Sequence, residues 1–123
     1  MIVARRMLSL AAVAALSVLN GCICSDKVVH RVTSPDGLLI ATYYVRNCGA
    51  TEDFVSTVNL QSAQSKFNGG EDVLFTATGR HQIDIEWTTA KHLHLHCDSC
   101  KRDLIYREVV RIGDIDIDFD LPQ

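Results

Sequence analysis

The chain reads as an all-β domain, a small antiparallel meander or β-sandwich, with an N-terminal helical signal segment ahead of it. Three observations carry this. Beyond Cys22, apolar and polar residues alternate with period two almost throughout, the pattern of strands that bury one face. Clusters of Gly, Pro, Asn and Asp interrupt the alternation at short intervals. No segment of this region repeats apolar residues at helical spacing.

The alternation places strands at 28–33, 38–46, 54–60, 72–76, 82–88, 92–97, 105–110 and 114–121. Ser34-Pro35-Asp36-Gly37 separates the first two, with Pro suited to the first turn position and Gly to a positive φ. Asn68-Gly69-Gly70 and Gly113 punctuate later segments. Residues 61–67 are the most polar stretch and read as the longest loop.

One hairpin can be placed in register. Ile83, Ile85 and Trp87 alternate with polar residues, and so do Leu93, Leu95 and Cys97. Opposed residues of antiparallel strands share a face, so Trp87 should meet Leu93, Ile85 should meet Leu95, and Ile83 should meet Cys97. The connection is then odd in length, most simply Thr89-Ala90-Lys91. Glu86 falls opposite His94 and Asp84 opposite His96 on the outer face. In the last strand Asp114, Asp116, Asp118 and Asp120 alternate with Ile115, Ile117, Phe119 and Leu121, which gives one apolar and one acidic face. Alternate carboxylates on a strand stand roughly 6.7 Å apart, too far for one calcium ion to hold three.

The N-terminus has the parts of a secretory signal. Arg5 and Arg6 precede an uncharged apolar core at 7–19, shorter than the roughly 20 residues of a permanent membrane span. Leu19-Asn20-Gly21-Cys22 then resembles the lipobox of bacterial lipoprotein signal peptides. The resemblance implies a signal peptide at 1–21, diacylglyceryl transfer to the Cys22 thiol, and a tether at 22–27 leading into a single β domain at 28–123. Several acyl chains on one residue hold a protein to a bilayer far more firmly than one. Ile23 in place of aspartate implies onward sorting to the periplasmic face of the outer membrane. Twelve basic residues face fifteen acidic ones, and no basic patch with interleaved aromatics occurs, which argues against nucleic acid.

Lipidation of Cys22 leaves Cys24, Cys48, Cys97 and Cys100 in an oxidising compartment, where disulfides are the expected state. Four cysteines permit three complete pairings, and the sequence does not choose. The densest chemical segment is His92-Leu93-His94-Leu95-His96-Cys97-Asp98-Ser99-Cys100. The reading here is no metal and no cofactor. The alternative is a zinc-type site using His94, His96, Cys97 and Cys100, with His92 nearby, because C-x-x-C is a standard pair of sulfur ligands. That site requires His96 to turn beside Cys97, which alternation points to the other face. Hydrolase and nucleotide-binding motifs are absent, and His30 and His81 adjoin no nucleophile in sequence. The expectation is not an enzyme.

Ser34-Pro35-Asp36-Gly37, Ala41, Asn47-Cys48-Gly49-Ala50-Thr51-Glu52-Asp53-Phe54 and Val58-Asn59-Leu60 together resemble an uncharacterised family of small bacterial secreted proteins. Its members read S-P-D-G, a strand, then D-C-G-A-T-T-x-F. Asp84-Ile85-Glu86-Trp87 and Leu93-His94-Leu95 are similar to its later strands. The chain departs from the pattern at Asn47 and Glu52. The resemblance implies that Cys48, Gly49, Ala50 and Thr51 form a recurrent loop, open to a recognition role, and it brings no activity or cofactor.

The expected protein is an envelope lipoprotein, a non-enzymatic interaction or envelope-maintenance module whose partners are the lipid membrane and an envelope protein. The alternative is a metal-binding periplasmic lipoprotein using 92–100. Intact mass of the full chain extracted from its own membranes should show acyl mass on Cys22. An unmodified Cys22, or a chain retaining residues 1–21, would remove the anchor.

Overall fold

The computed structural model describes residues 23–123; the expected signal peptide at 1–21 and the expected acylation site, Cys22, lie outside the described residues. Nine strands form two sheets: β1 (Ser25–Thr33), β2 (Leu39–Asn47), β3 (Val55–Ser62), β4 (Val73–Thr78), β5 (Asp84–Thr89), β6 (His92–His96), β7 (Ile105–Glu108), β8 (Arg111–Ile112) and β9 (Ile115–Asp120). The first sheet has the order β1-β2-β3-β4-β7 and the second β5-β6-β9-β8. The first four strands are an antiparallel meander, as the alternation and turns imply.

Most strand limits shift by one or two residues from the sequence reading, and two differences stand out. Strand β1 starts at Ser25, inside the segment expected to be a tether, because Ser25 to Lys27 pair with Asn47 to Val45. The expected strand at 105–110 ends at Glu108, and a two-residue strand β8 follows in the other sheet.

The Ser34–Gly37 turn is built by its own side chains. Gly37 takes φ +77°, and the Ser34 hydroxyl donates to Asp36 Oδ1 at 2.6 Å while accepting from the Leu39 amide at 3.1 Å. Asp36 Oδ1 also accepts from the Leu38 amide at 3.1 Å, and these bonds hold its carboxyl below the usual 3.8, the Ser34 bond most of all.

The core lies between the sheets. Ala41, Tyr43, Val58, Leu60, Phe75 and Ala77 from the first sheet meet Ile85, Leu93, Leu95, Ile115 and Ile117 from the second in one apolar cluster, and Phe75 lies 5.6 Å from Phe119 between ring centroids. The Trp87 indole N–H donates to the Val32 carbonyl at 3.0 Å, joining β5 to β1 along one side. Truncating a fully buried leucine such as Leu93 or Leu95 would cost about 2–5 kcal/mol.

The first sheet is also covered on its outer face. The loop following β3 lies over Tyr44, Asn59 and Gln61, whose polar ends satisfy its backbone. The Tyr44 hydroxyl donates to the Gly69 carbonyl, Asn59 Nδ2 to the Asn68 carbonyl at 2.9 Å, and Gln61 Nε2 to the Lys66 carbonyl at 3.1 Å. Gln61 Oε1 accepts the Asn68 amide at 3.0 Å, and Phe67 packs edge-on against Tyr44 at 5.0 Å. Burial pushes the Tyr44 hydroxyl up to about 12, so it remains a donor. The polar stretch is therefore a strap with bonded amides, as a buried backbone requires.

Gly69 is where the strap meets the sheet most closely. A Cβ there would overlap the Asp26 carboxylate and lie 3.2 Å from Tyr44 Cε2. Asp26 cannot swing aside freely, because Arg46 grips it through Nε at 2.7 Å and Nη2 at 2.9 Å. Gly69→Ala should cost about 1–3 kcal/mol. Gly70→Ala, whose Cβ would meet only Asn68 Oδ1 at 3.8 Å, should leave the melting temperature nearly unchanged. Equal melting of the two variants would show that the strap is not seated this way.

Candidate functional site

Sheet register assembles three groups of functional side chains. The first is a histidine–aspartate face on the second sheet. The β5–β6 register pairs Trp87 with Leu93, Ile85 with Leu95, Glu86 with His94 and Asp84 with His96, as the alternation requires. The connection is tighter than the expected three residues. Thr89 pairs with His92 and a bulge falls between Trp87 and Thr89, so two turn residues plus one bulged residue preserve the odd count.

The partner of β6 on its other side is β9, and the pairing is parallel. His92 lies opposite Asp116, His94 opposite Asp118 and His96 opposite Asp120. Both strands place their apolar residues inward, so the histidines and aspartates must share the outer face. The histidines bond to these carboxylates rather than to Glu86 and Asp84. His92 Nε2 donates to Asp118 Oδ1 at 2.6 Å and His94 Nδ1 to Asp118 Oδ2 at 2.7 Å. His96 Nδ1 donates to Asp120 Oδ2 at 2.8 Å, and its Nε2 faces Asp98 Oδ1 at 2.9 Å.

Each aspartate of the expected acidic face thus has a basic partner, and the face is compensated wherever the histidines are protonated. Asp114 pairs with Lys91, Asp116 with Arg111, Asp118 with His92 and His94, and Asp120 with His96. These pairs are exposed, so each contributes little alone.

The second group surrounds Cys48. Cys24 and Cys48 form a disulfide with Cα atoms 4.0 Å apart, which closes the chain around the β1–β2 hairpin and is worth about 3 kcal/mol by loop entropy. Gly49 takes φ +122° and its amide bonds Asn47 Oδ1 at 3.0 Å, so the Cys48–Thr51 segment turns sharply at the end of β2. A surface cleft of about 470 Å³ adjoins it, lined by Lys27, Val28, Val29, Asn47, Phe54 and Arg80 among others. The Arg80 guanidinium stacks 4.2 Å over the Phe54 ring. Val29 is 55% exposed on edge strand β1.

The third group joins the second C-x-x-C to a histidine that sequence spacing did not connect to it. Cys97 and Cys100 form a disulfide, and both are buried. The zinc-type set His94, His96, Cys97 and Cys100 does not assemble. His94 and His96 point outward to carboxylates, and Cys97, one residue further along the strand, points inward. The imidazole beside the sulfurs is that of His81, and one ligand atom each from His81, Cys97 and Cys100 lie within 4.8 Å of one another. Strands from both sheets bring them together, so no local motif announces the group.

Comparison with protein-family models, with curated proteins and with solved structures finds no match to this chain.

The His96 geometry has a pH consequence. An imidazole donates through both nitrogens only when protonated, and the bond to Asp120, then Asp98, raises its pKa above the usual 6.5. A raised value means stability fully present below about 6.5 and lost as pH rises through the folded value. Asp118 is lowered below 3.8, chiefly by the His94 bond and then that of His92, so its contribution is present above 3.8 and lost as pH falls through the lower value. The window in which both act runs from about pH 4 to pH 6.5. Melting followed by circular dichroism should show wild type exceeding His96→Gln most near pH 5.5, with the gap closing by about pH 9. A gap independent of pH would exclude a charged His96.

Proposed function

We propose that this chain is a lipid-anchored bacterial envelope protein, held through acylated Cys22 at the periplasmic face of the outer membrane, and that it works as a non-enzymatic interaction module. The observation that supports this most is the Cys24–Cys48 disulfide. It pins the Cys48–Thr51 loop two residues from the acylation site, with only Ile23 between Cys22 and Cys24. The anchor, the loop and the cleft beside β1 then lie at one end of the sandwich.

The cleft suits an extended segment of an envelope protein. Edge strand β1 offers backbone groups for strand addition, Val28 and Val29 offer apolar contact, and the Arg80–Phe54 pair and Lys27 suit an acidic or aromatic side chain. The C-G-A-T resemblance fits a loop kept for recognition.

Site-specific photo-crosslinking in cells tests the reading on the anchored, full-length protein. A crosslinker at Val29 should trap one defined envelope protein, and replacing Gly49 to Glu52 should abolish the product. The same crosslinker at His94, on the compensated face, should trap none. Identical products from both positions, or products insensitive to the loop, would contradict the module.

A further inference from the structure

We propose that His81, Cys97 and Cys100 form a zinc-binding site that becomes available when the Cys97–Cys100 disulfide is reduced. The site is separate from the cleft and stands whether or not the cleft binds a partner.

Three ligand side chains converge here. Among the described residues this is the one group of three ligand side chains whose donor atoms lie within 4.8 Å of one another. Cys97-Asp98-Ser99-Cys100 has the spacing that lets both sulfurs bind one ion, and Cys2His with an open fourth position is an established zinc set. The C-x-x-C backbone can therefore serve as a bridge or as two edges of a tetrahedron.

The hydrogen bonds of His81 fix its tautomer. Its Nε2 lies 2.7 Å from the Thr78 carbonyl, which can only accept, so Nε2 carries the proton. In the neutral ring Nδ1 then holds the lone pair, and it accepts from the Ser99 hydroxyl at 2.7 Å. Ser99 lies inside the C-x-x-C loop, with its oxygen 4.0 Å from Cys97 Sγ. One nitrogen bonded to a backbone carbonyl and the other free to ligate is how metal-binding histidines are held. A zinc ion would displace only the Ser99 hydroxyl, and Ser99 is exposed, which provides an entry path.

The backbone of His81 is preorganised. The His81 amide donates to Ser56 Oγ at 3.0 Å, and its carbonyl accepts from the Tyr43 hydroxyl. Ser56 Oγ in turn donates to the Gly79 carbonyl at 2.7 Å, and the Gly79 amide donates to the Phe54 carbonyl at 2.6 Å. The backbone that carries the imidazole is thus fastened to β2 and β3. Gly79 takes φ +101°, and a Cβ there would come within 3.3 Å of Nε2.

The charges of the ligand set also match the ion. Cys97 is 1% exposed and Cys100 is fully buried, and a dry site tolerates an ion only when its charge is matched. Two thiolates neutralise Zn2+, with His81 neutral. The reaction balances with a dithiol reductant: the Cys97–Cys100 bond takes two electrons and two protons, and the dithiol becomes a disulfide. Zinc then displaces both thiol protons to solvent.

Cobalt titration provides the test, with Co2+ standing in for Zn2+. The full chain in detergent is reduced with a phosphine, freed of reductant under nitrogen, and compared with oxidised protein. Reduced protein should develop a thiolate-to-cobalt charge-transfer band saturating at one ion per chain, which Zn2+ abolishes; oxidised protein should show none. His81→Ala should weaken binding at least tenfold, and His94→Gln should not change it. The Cys97→Ser/Cys100→Ser double variant, which retains Cys24 and Cys48, should show no band. A band that persists in the double variant, or is unaffected in His81→Ala, overturns the ligand set. Should reduction loosen the fold, Zn2+ should raise the melting temperature of reduced wild type and not that of the double variant; no band and no such rise would overturn the site.

Discussion

The parallel contact between β6 and β9 is the interaction on which most of the molecule depends. Its register aligns Leu93 with Ile117 and Leu95 with Phe119 on the inner face, which supplies the second sheet's share of the core. The same register forces the histidines and aspartates into line outside, because side chains alternate without exception along both strands. The Cys97 amide continues the pairing by donating to the Asp120 carbonyl at 3.1 Å, so the contact also sets where the C-x-x-C begins.

A parallel pair cannot be joined by a tight turn, so residues 97–114 must leave the sheet and return. They do so through the short 3-10 turn Arg102–Leu104 and through β7, which closes the free edge of β4 in the other sheet. The crossing carries Cys100 under the end of the first sheet, where Tyr43 and Ser56 hold His81. Both disulfides therefore fall at the same end of the sandwich: Cys48 follows β2 directly, and Cys97 follows β6. Chemistry is concentrated at that end, while the opposite end is closed by the Ser34–Gly37 and Gly113 turns.

Much of the fold was legible because half-buried strands write their register into sequence. The Ile85/Trp87 and Leu93/Leu95 alternations predicted the pairs Trp87–Leu93 and Ile85–Leu95, whereas the expected Ile83–Cys97 pair does not form because β5 begins at Asp84 and β6 ends at His96. Ser34-Pro35-Asp36-Gly37 specified its turn through side chains within five residues. The cysteine pairing was not legible, since it follows from strand order and not from spacing. The β6–β9 contact was hidden for the same reason, and with it the true partners of His94 and His96. Alternation says which face a residue takes but not which strand lies beside it. His81 was missed because its neighbours Gly79, Arg80 and Gln82 carry no ligand signal, and the sulfurs reach it only through the crossing. The segment after β3 was legible as a loop but its seating over the sheet was not; Asn59 and Gln61, two polar residues on a strand with both faces buried, were the clue.

Interstrand nuclear Overhauser effects would test the β6–β9 contact most directly, recorded on the labelled full chain in detergent with its disulfides intact. The account expects backbone cross-peaks between Leu93 and Ile117 and between Leu95 and Phe119, advancing together along both strands. Cross-peaks that advance along one strand while retreating along the other would mean antiparallel pairing, and would dismantle the histidine–aspartate alignment and the placement of Cys97 together.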